Sequence, residues 1–584
     1  MYSKRHLRRL NKEIKDKYAE KLNRASEETV SCSEIEKVEG RQIGEEIEDN
    51  EKLESDIEII NVASDNKVSL SEDLKEWFLK HRTTRECAVD LVRVLKRNNL
   101  QVAPFHKYTA QKNPDIAKID GGLYLHIGLK TQLSKLFYIL KLEESLCFDI
   151  NIDGLPLYKS SNAQLWPILI RLVNVKNAPI LPIGIFLGKS KPTCCDEFLR
   201  KFTCELQDLL QNGVELGNKL IKISIRAIVC DAPARAFISG TPGHTSSHGC
   251  SKCTQVARKL NGTLTFKTDC GILITDNDFT NRIYPEQHSQ KYLTKMTALE
   301  SVNVKMVTQI PLDCMHLIDL GVMRKFLVRI ITNKICVKIA KPNIMNMSNK
   351  LISLLRNIPK EFVRKPRPLN ELLKWKATEF RQFLLYTGIF VFKNELSEDQ
   401  YYVFLLLHCA YRLLCFPKLR GSNLDISQGM LDNFVDNFPL VFGDNSVSYN
   451  IHSLLHVKDT IQQVGDPVEG SSYAFENYLQ LLKRHVRKPT KILEQIYRKI
   501  DEERFTPSSL DSEPKIANKV ITFKGCKLTE NAPNNYCYVD GGIPIFIVSI
   551  LEDFDRAVIG RRLINLRNFY DEPIPSSSLG IYLV

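Results

Sequence analysis

The sequence predicts an α/β protein with a sheet-forming core, a long and mainly helical stretch after it, and a small β-rich C-terminal domain. Between 146 and 231 the runs LCFDINID, WPILIRLVNV, ILPIGIFLG and KISIRAIVCD are rich in β-branched residues and bounded by polar turns. An amphipathic run, DEFLRKFTCELQDLLQNG, lies between the third and the fourth. Between 300 and 440 the segments VMRKFLVRIITNK, FRQFLLYTGIFVF and QYYVFLLLHCAYRLLCF are apolar over helical lengths. From about 519 the chain alternates again in KVITFKGCKL, YCYVDGG and PIFIVSIL, with hairpin signals between.

Taken in order, the first runs spell β-β-β-α-β, with Gly213 placed to close the helix. That is the opening topology of an RNase H-like domain. The expected divisions are a basic arm at 1–24, an acidic, aromatic-poor disordered linker at 25–70, and a helical module at 71–140. That module rests on SEDLKEWFLKHR and ECAVDLVRVLKRNN. An RNase H-like core follows at 141–300 and a helical insertion at 301–450. A segment at 451–505 holds the helix FENYLQLLKRHVRK, and the β-rich domain occupies 515–584.

Whole-chain numbers narrow the function. A net charge of +13 suits a polyanion such as DNA, although it also serves plain solubility. No apolar run reaches the roughly 18–20 residues that span a bilayer, and MYSKRHLRRLNKEIKDKYAEKL lacks the apolar core of a secretory signal. The 16 cysteines are therefore expected to be mostly reduced, which turns attention to metal binding. Cys147, Cys409 and Cys415 sit alone in apolar runs and are expected to act as small hydrophobes.

Two acids end predicted strands: Asp153 before Gly154, and Asp231 before Ala232 and Pro233. Strand ends in open α/β sheets face a crevice where ligands gather. Two-metal phosphoryl transfer needs carboxylates there, because hard divalent cations prefer oxygen and lie roughly 3.5–4 Å apart. An Asp after a strand is also a common turn former or helix cap. Alternation puts Asp149, Asn151 and Asp153 on one face, so Asp149 competes for the same role.

GHTSSHGCSKC supplies a C-x2-C pair, Cys250 and Cys253, and a closed structural zinc site needs four ligands. Nearby candidates are His244, His248, Cys270 and His288. Far along the chain, YNIHSLLHV offers His452 and His456, one helical turn apart. The two pairs together favour a Cys2His2 site that joins distant segments.

The segments FDINIDGLPLY, IVCDAPARAFISG with GHTSSHGCSKC, PLDCMHLIDLGV, YNIHSLLHV and SSYAFENYLQLLKRHVRKP resemble, in this order, the CACTA (En/Spm-type) transposases. That family stands in the wider group of Transib elements and the catalytic subunit of the V(D)J recombinase. The resemblance runs over roughly 70–584, including the closing NLRNFYDEPIPSSSLGIYLV. It implies a DDE triad of Asp153, Asp231 and Glu476 holding two ions, Mg2+ or Mn2+, with a helical insertion before the third acid. It also implies structural zinc on Cys250, Cys253, His452 and His456, stapling the insertion to the core. The family's D-x2-H motif matches Asp313 and His316, expected beside the catalytic centre. Lys483, Arg484, Arg487 and Lys488 follow Glu476 on the same predicted helix, either as phosphate contacts or as a solvated face.

The implied activity is DNA transposition: nicking at element ends and joining of the freed 3′-hydroxyl to target DNA. The implied partners are double-stranded DNA (element ends and target) and at least a second copy of the chain, in the nucleus and without a membrane. No compact end-binding domain is recognisable before about 70, so recognition of element ends is expected to rest on the helical pair or the insertion. Two other functions fit the same residues: a domesticated DNA-binding or chromatin protein without activity, and an RNase H-like nuclease without strand transfer. An intact triad favours retained catalysis, because an idle buried carboxylate cluster costs stability.

Overall fold

The computed structural model describes residues 85–100, 114–136, 143–502, 515–517, 520–523, 526–539, 543–550 and 558–583, with single residues at 70, 74, 77, 102 and 140. The basic arm and all but the last residue of the acidic segment lie outside these. The chain forms two compact units. In the smaller, Ala19–Pro114 with Ile496–Glu503, the helix Arg85–Arg97 packs Ala88 and Val92 against Leu74 and Val102.

The larger unit is built on a mixed eight-stranded sheet. Its strands are β1 (Ile116–Ile119), β2 (Gly122–His126), β3 (Ser145–Ile152), β4 (Leu155–Pro156), β5 (Gln164–Leu172), β6 (Leu181–Gly188), β7 (Val214–Leu216) and β8 (Lys219–Val229). They lie in the order β1-β2-β6-β5-β3-β8-β7, with β4 on β5. The apolar runs became β3, β5 and β6, which are nearly continuous in buried residues because both faces are covered. β3 pairs antiparallel with β5 and parallel with β8. A parallel neighbour requires a crossover, and the helix Cys195–Asn212 supplies it.

That helix buries Phe198, Leu199, Phe202, Leu206 and Leu209, one stripe at helical spacing, against Phe148, Ile150, Ile168 and Ile170 of the sheet. It stops at Gly213, whose φ of 75° suits glycine and whose N–H donates to Leu209 O at 2.9 Å. A Cβ there would stand 2.7 Å from Ile221 O, so the tight return into β7 and β8 also needs a bare residue.

One expectation needs correction. The stretch at 71–140 is not a helical module throughout, because β1 and β2 form a hairpin on the edge of the sheet against β6. IAKIDGGLYLH carries the signal in its Asp-Gly-Gly turn, but each strand is too short for its alternation to stand out.

After the sheet, helices Arg324–Ile331, Lys341–Ser353, Glu398–Cys415 and Pro417–Phe442 enclose a second core rich in aromatics, with Phe326, Phe392, Phe404 and Phe442 edge-on or tilted to one another. Glu398–Cys415 opens on a capping box between Ser397 and Gln400. The C-terminal part is β-rich, with three-stranded sheets of β9 (Lys515–Ala517), β10 (Val520–Phe523) and β11 (Cys526–Thr529), and of β12 (Tyr536–Val539), β13 (Ile543–Ile550) and β14 (Val558–Arg562). The closing segment does not stay in that region. Tyr570, Ile574 and Leu579 are buried in the helical core, and Arg412 Nε donates to Leu579 O at 3.1 Å.

Tyr570 lies 3.6 Å by its hydroxyl from Cys409 Sγ and edge-on to His408. Tyr570→Ala is expected to destabilise the protein by about 3 kcal/mol, the usual cost of emptying a buried aromatic site. The shift of the urea midpoint against wild type measures it.

Candidate active site

β3 and β8 run parallel, so their carboxyl ends emerge side by side. Asp153 is the first residue past β3, and Asp231 follows β8 by one residue. Asp231 does two things. It caps the helix Ala232–Ser239, its Oδ1 accepting from Ala234 N at 2.8 Å, with a proline in the first turn. Its Oδ2 has no hydrogen-bond partner among the described residues. Asp153 Oδ1 accepts from Gly154 N at 2.7 Å.

Glu476 comes from the first turn of the helix Tyr473–His485, far along the chain. Ligand atoms of Asp153, His316 and Glu476 lie within 4.8 Å of one another, a grouping able to hold a metal ion. Asp231 is outside that tight group, but its negative charge helps raise all three. Asp231, Arg235, His244, Asp313, His316 and Tyr449 line an adjoining cleft of about 190 Å³.

The Asp313–His316 pair, expected beside the catalytic centre, lies next to Glu476. Asp313 Oδ2 meets His316 Nδ1 at 2.5 Å, and His316 Nε2 is 3.9 Å from Glu476 Oε1. Asp313 Oδ1 also accepts from Ser472 N at 3.0 Å, immediately before the Glu476 helix. His316 lies on Met315–Met323, a wide-turned π-helix, a geometry that recurs at functional sites. One residue of the same turn, Asp319, accepts from Tyr473 Oη at 2.7 Å. Asp319 of this π-helix and Asp313, two residues before its start, thus hold the beginning of the helix that bears Glu476.

The electrostatics are those of crowded carboxylates around one cation. Burial, then the charges of Asp231 and Glu476, push Asp153 up to about 8. Burial and the Asp313 and Asp231 charges likewise raise Glu476 against the pull of His316. Burial alone would lower His316, but the Asp313 hydrogen bond and the neighbouring acids outweigh it and lift the imidazole to about 9. Asp313, bonded to that imidazole, falls below the usual carboxylate range although it is buried. Such an excess of negative charge attracts a cation.

Asp149 is excluded from the centre. It is fully buried and held by two arginines: Arg171, its cross-strand partner, and Arg226, which binds it at 2.8 and 2.6 Å. Sharing a face with Asp153 was not enough, because β5 and β8 each bring a guanidinium to that position. Arg226 Nη1 also donates to Val464 O at 2.9 Å, and Arg171 lies 5.4 Å from the ring centroid of Phe475, next to Glu476. These arginines were missed by sequence reasoning. Their signal was a charge near the end of the apolar β5 and, in β8, the last basic residue before the buried run Ala227–Val229.

Cys250, Cys253, His452 and His456 converge in a buried group. The Sγ–Sγ distance is 3.6 Å, Cys253 Sγ–His452 Nε2 is 3.3 Å and Cys250 Sγ–His456 Nε2 is 3.5 Å. Metal bonds of about 2.3 Å to sulfur and about 2.0–2.1 Å to nitrogen set tetrahedral edges of about 3.8 and about 3.5 Å, so the four donors enclose a site of metal size. Phe266 stacks on His452 at 4.6 Å. Lys252, buried within the knuckle, donates to Val307 O and to Ile310 O at 3.0 Å. His244, His248, Cys270 and His288 stay outside the group.

The basic residues after Glu476 separate. Lys483 Nζ donates to Pro156 O at 2.8 Å and Arg484 is exposed on the helix. Arg487 and Lys488 lie beyond the helix end at His485, where their backbone N–H groups bond Gln495, which corrects their placement on one helix.

Two outcomes separate the neighbouring acids. Asp149→Asn leaves two half-buried guanidinium groups short of their fully buried counter-charge, and should cost about 3 kcal/mol in urea unfolding. Asp153 acts in the other direction: its folded pKa is raised from 3.8 to about 8, so stability present below pH 4 is lost as pH rises through 8. In chelated buffer, Asp153→Asn should therefore be more stable than wild type at pH 8, with the difference closing near pH 4. Metal analysis should also find about one tightly held ion per chain at the Cys2His2 group, lost in Cys253→Ser.

A family model described as a domain of unknown function, DUF8592, matches residues 502–584. No curated protein matches the chain.

Proposed function

We propose that this protein is a DDE-type DNA transposase with an RNase H-like core, in which Asp153, Asp231 and Glu476 hold two divalent ions, Mg2+ or Mn2+. The observation that carries the proposal is convergence. Asp153, at a strand end, and Glu476, from a helix far along the chain, meet at His316; Asp231, at the end of the parallel strand, lines the adjoining cleft, and a Cys2His2 group ties that helix region to the core. The strand order β6-β5-β3-β8, with its helical crossover, supports the RNase H-like assignment.

The donor set fits the ions. Carboxylate oxygens suit hard divalent cations, while two thiols and two imidazoles in a closed, buried group suit structural Zn2+. Bound divalent ions would activate a water or a 3′-hydroxyl and stabilise the leaving oxygen at a scissile phosphate. The chain's own residues prepare the place. Asp313 fixes the His316 ring and keeps it charged, with Nε2 toward Glu476. Asp231 offers Oδ2 while its other oxygen caps a helix, which fixes the carboxylate in direction. The substrate is double-stranded DNA at element ends and target, handled in the nucleus by at least a dimer, since two ends must be brought together.

In Mn2+, the purified protein should nick and join DNA carrying the repeats that flank its own coding sequence. Asp231→Asn should abolish both reactions and leave the circular dichroism spectrum and melting temperature near wild type, because Asn still caps the helix. Equal activity in that variant would overturn the assignment.

A further inference from the structure

The sheet β12–β13–β14 carries a surface that the acid centre does not use. Its strands pair in register, so that Tyr536, Phe546 and Arg561 form one cross-strand row and project from the same face. Tyr538, two residues along β12, belongs to that face, and its partner across the ladder is Pro544. Tyr536 and Tyr538 are each 56% exposed, Ile559 and Val548 are 50% and 41% exposed, and Arg561 is exposed. The opposite side places Ile547 in the interior. Exposed apolar and aromatic residues gathered on one face mark interaction sites more often than single ones do.

We propose that this face binds single-stranded nucleic acid, with a base stacked on the Tyr536 ring that Phe546 braces and a phosphate on Arg561. Three features favour this occupant over a peptide. The rings of Tyr536 and Phe546 stand 5.2 Å apart on neighbouring strands and meet edge-on at 67°, so the half-buried Phe546 braces the exposed Tyr536 ring as a π-surface for a base. The three strands contain two arginines and no acid. Among the described residues, no carboxylate pairs with Arg561, Arg562 or Arg567, so the charge is free for phosphate. Duplex DNA is a poor fit, because its bases are already stacked inside the helix. Tyr538 has a second duty, its hydroxyl donating to Gly580 O at 3.0 Å, and this ties the platform to the closing segment.

The test uses the full chain and fluorescein-labelled oligo-dT in anisotropy titrations. Wild type should bind it in preference to a duplex of equal length. Tyr536→Ala should lose about tenfold or more, and Tyr536→Phe should restore binding because stacking needs the ring and not the hydroxyl. Arg561→Ala should weaken binding and reduce the salt slope by about 0.7, one phosphate contact on a single strand. Since Tyr536 is exposed, an unchanged melting temperature separates lost binding from lost folding. Asp231→Asn should bind oligo-dT as wild type does, so failure of the acid centre as a transposase and failure of this face are distinguishable. The proposal is overturned if wild type does not bind oligo-dT, or if Tyr536→Ala binds it within twofold of wild type. It is equally overturned if Tyr536→Ala changes only the oligomeric state, which would make the face a contact between copies.

Discussion

Everything at the acid centre depends on bringing residue 476 back to residues 153 and 231, and the Cys2His2 group is one of the contacts that close that loop. Cys253 and His452 are 199 residues apart in sequence, and Cys250 and His456 are 206 apart. Closing a loop of that length costs configurational entropy that grows only logarithmically, so one tightly bound cross-link can hold it. The helical core between them then has two jobs. It buries enough aromatic surface to be stable, and it delivers both halves of the link with their donors facing inward. Lys252, within the knuckle and bonded to the carbonyls of Val307 and Ile310, extends the link to the segment leading into Asp313.

Around that staple, the third acid is fixed from several directions at once. Ser472 bonds Asp313, Tyr473 bonds Asp319, Phe475 lies beside Arg171, and Lys483 reaches the carbonyl of Pro156. Each contact is modest alone. Together they hold a carboxylate near two others although its own charge opposes that position, which is how a fold keeps a site that is electrostatically unfavourable without a cation. The Asp149 cluster underneath is its counterpart. There the arginines outnumber the acid, and the excess positive charge lies within the sheet under the excess negative charge at its end.

The parts legible in the sequence were those with a local cause. β3, β5, β6 and β8 follow from runs of β-branched residues, the Cys195–Asn212 helix from its stripe of Phe and Leu, and its end from Gly213. The C-x2-C and H-x3-H pairs were legible because ligand chemistry demands fixed spacings. The arrangement of Asp149 was not, because periodicity assigns a residue to a face without saying what the neighbouring strands bring to it. Arg171 and Arg226 answer that, and their meeting depends on β3 lying between β5 and β8. The β1–β2 hairpin escaped for another reason: short edge strands carry too few residues to show alternation. Glu476 needed resemblance, since nothing in FENYLQ distinguishes a ligand from a solvated helical acid.

The double duty of Asp231 has a bearing on how such a protein would change over generations. Asparagine keeps the helix cap and removes the ligand, and a single base change converts one codon to the other. Loss of chemistry at this position therefore need not carry a penalty in folding, whereas most other substitutions there would remove the cap as well. The rest of the fold, with its Cys2His2 group and aromatic face, would stay in place through the smallest of genetic steps. The helix cap that fixes the direction of the Asp231 carboxylate is also what makes its replacement by Asn structurally silent.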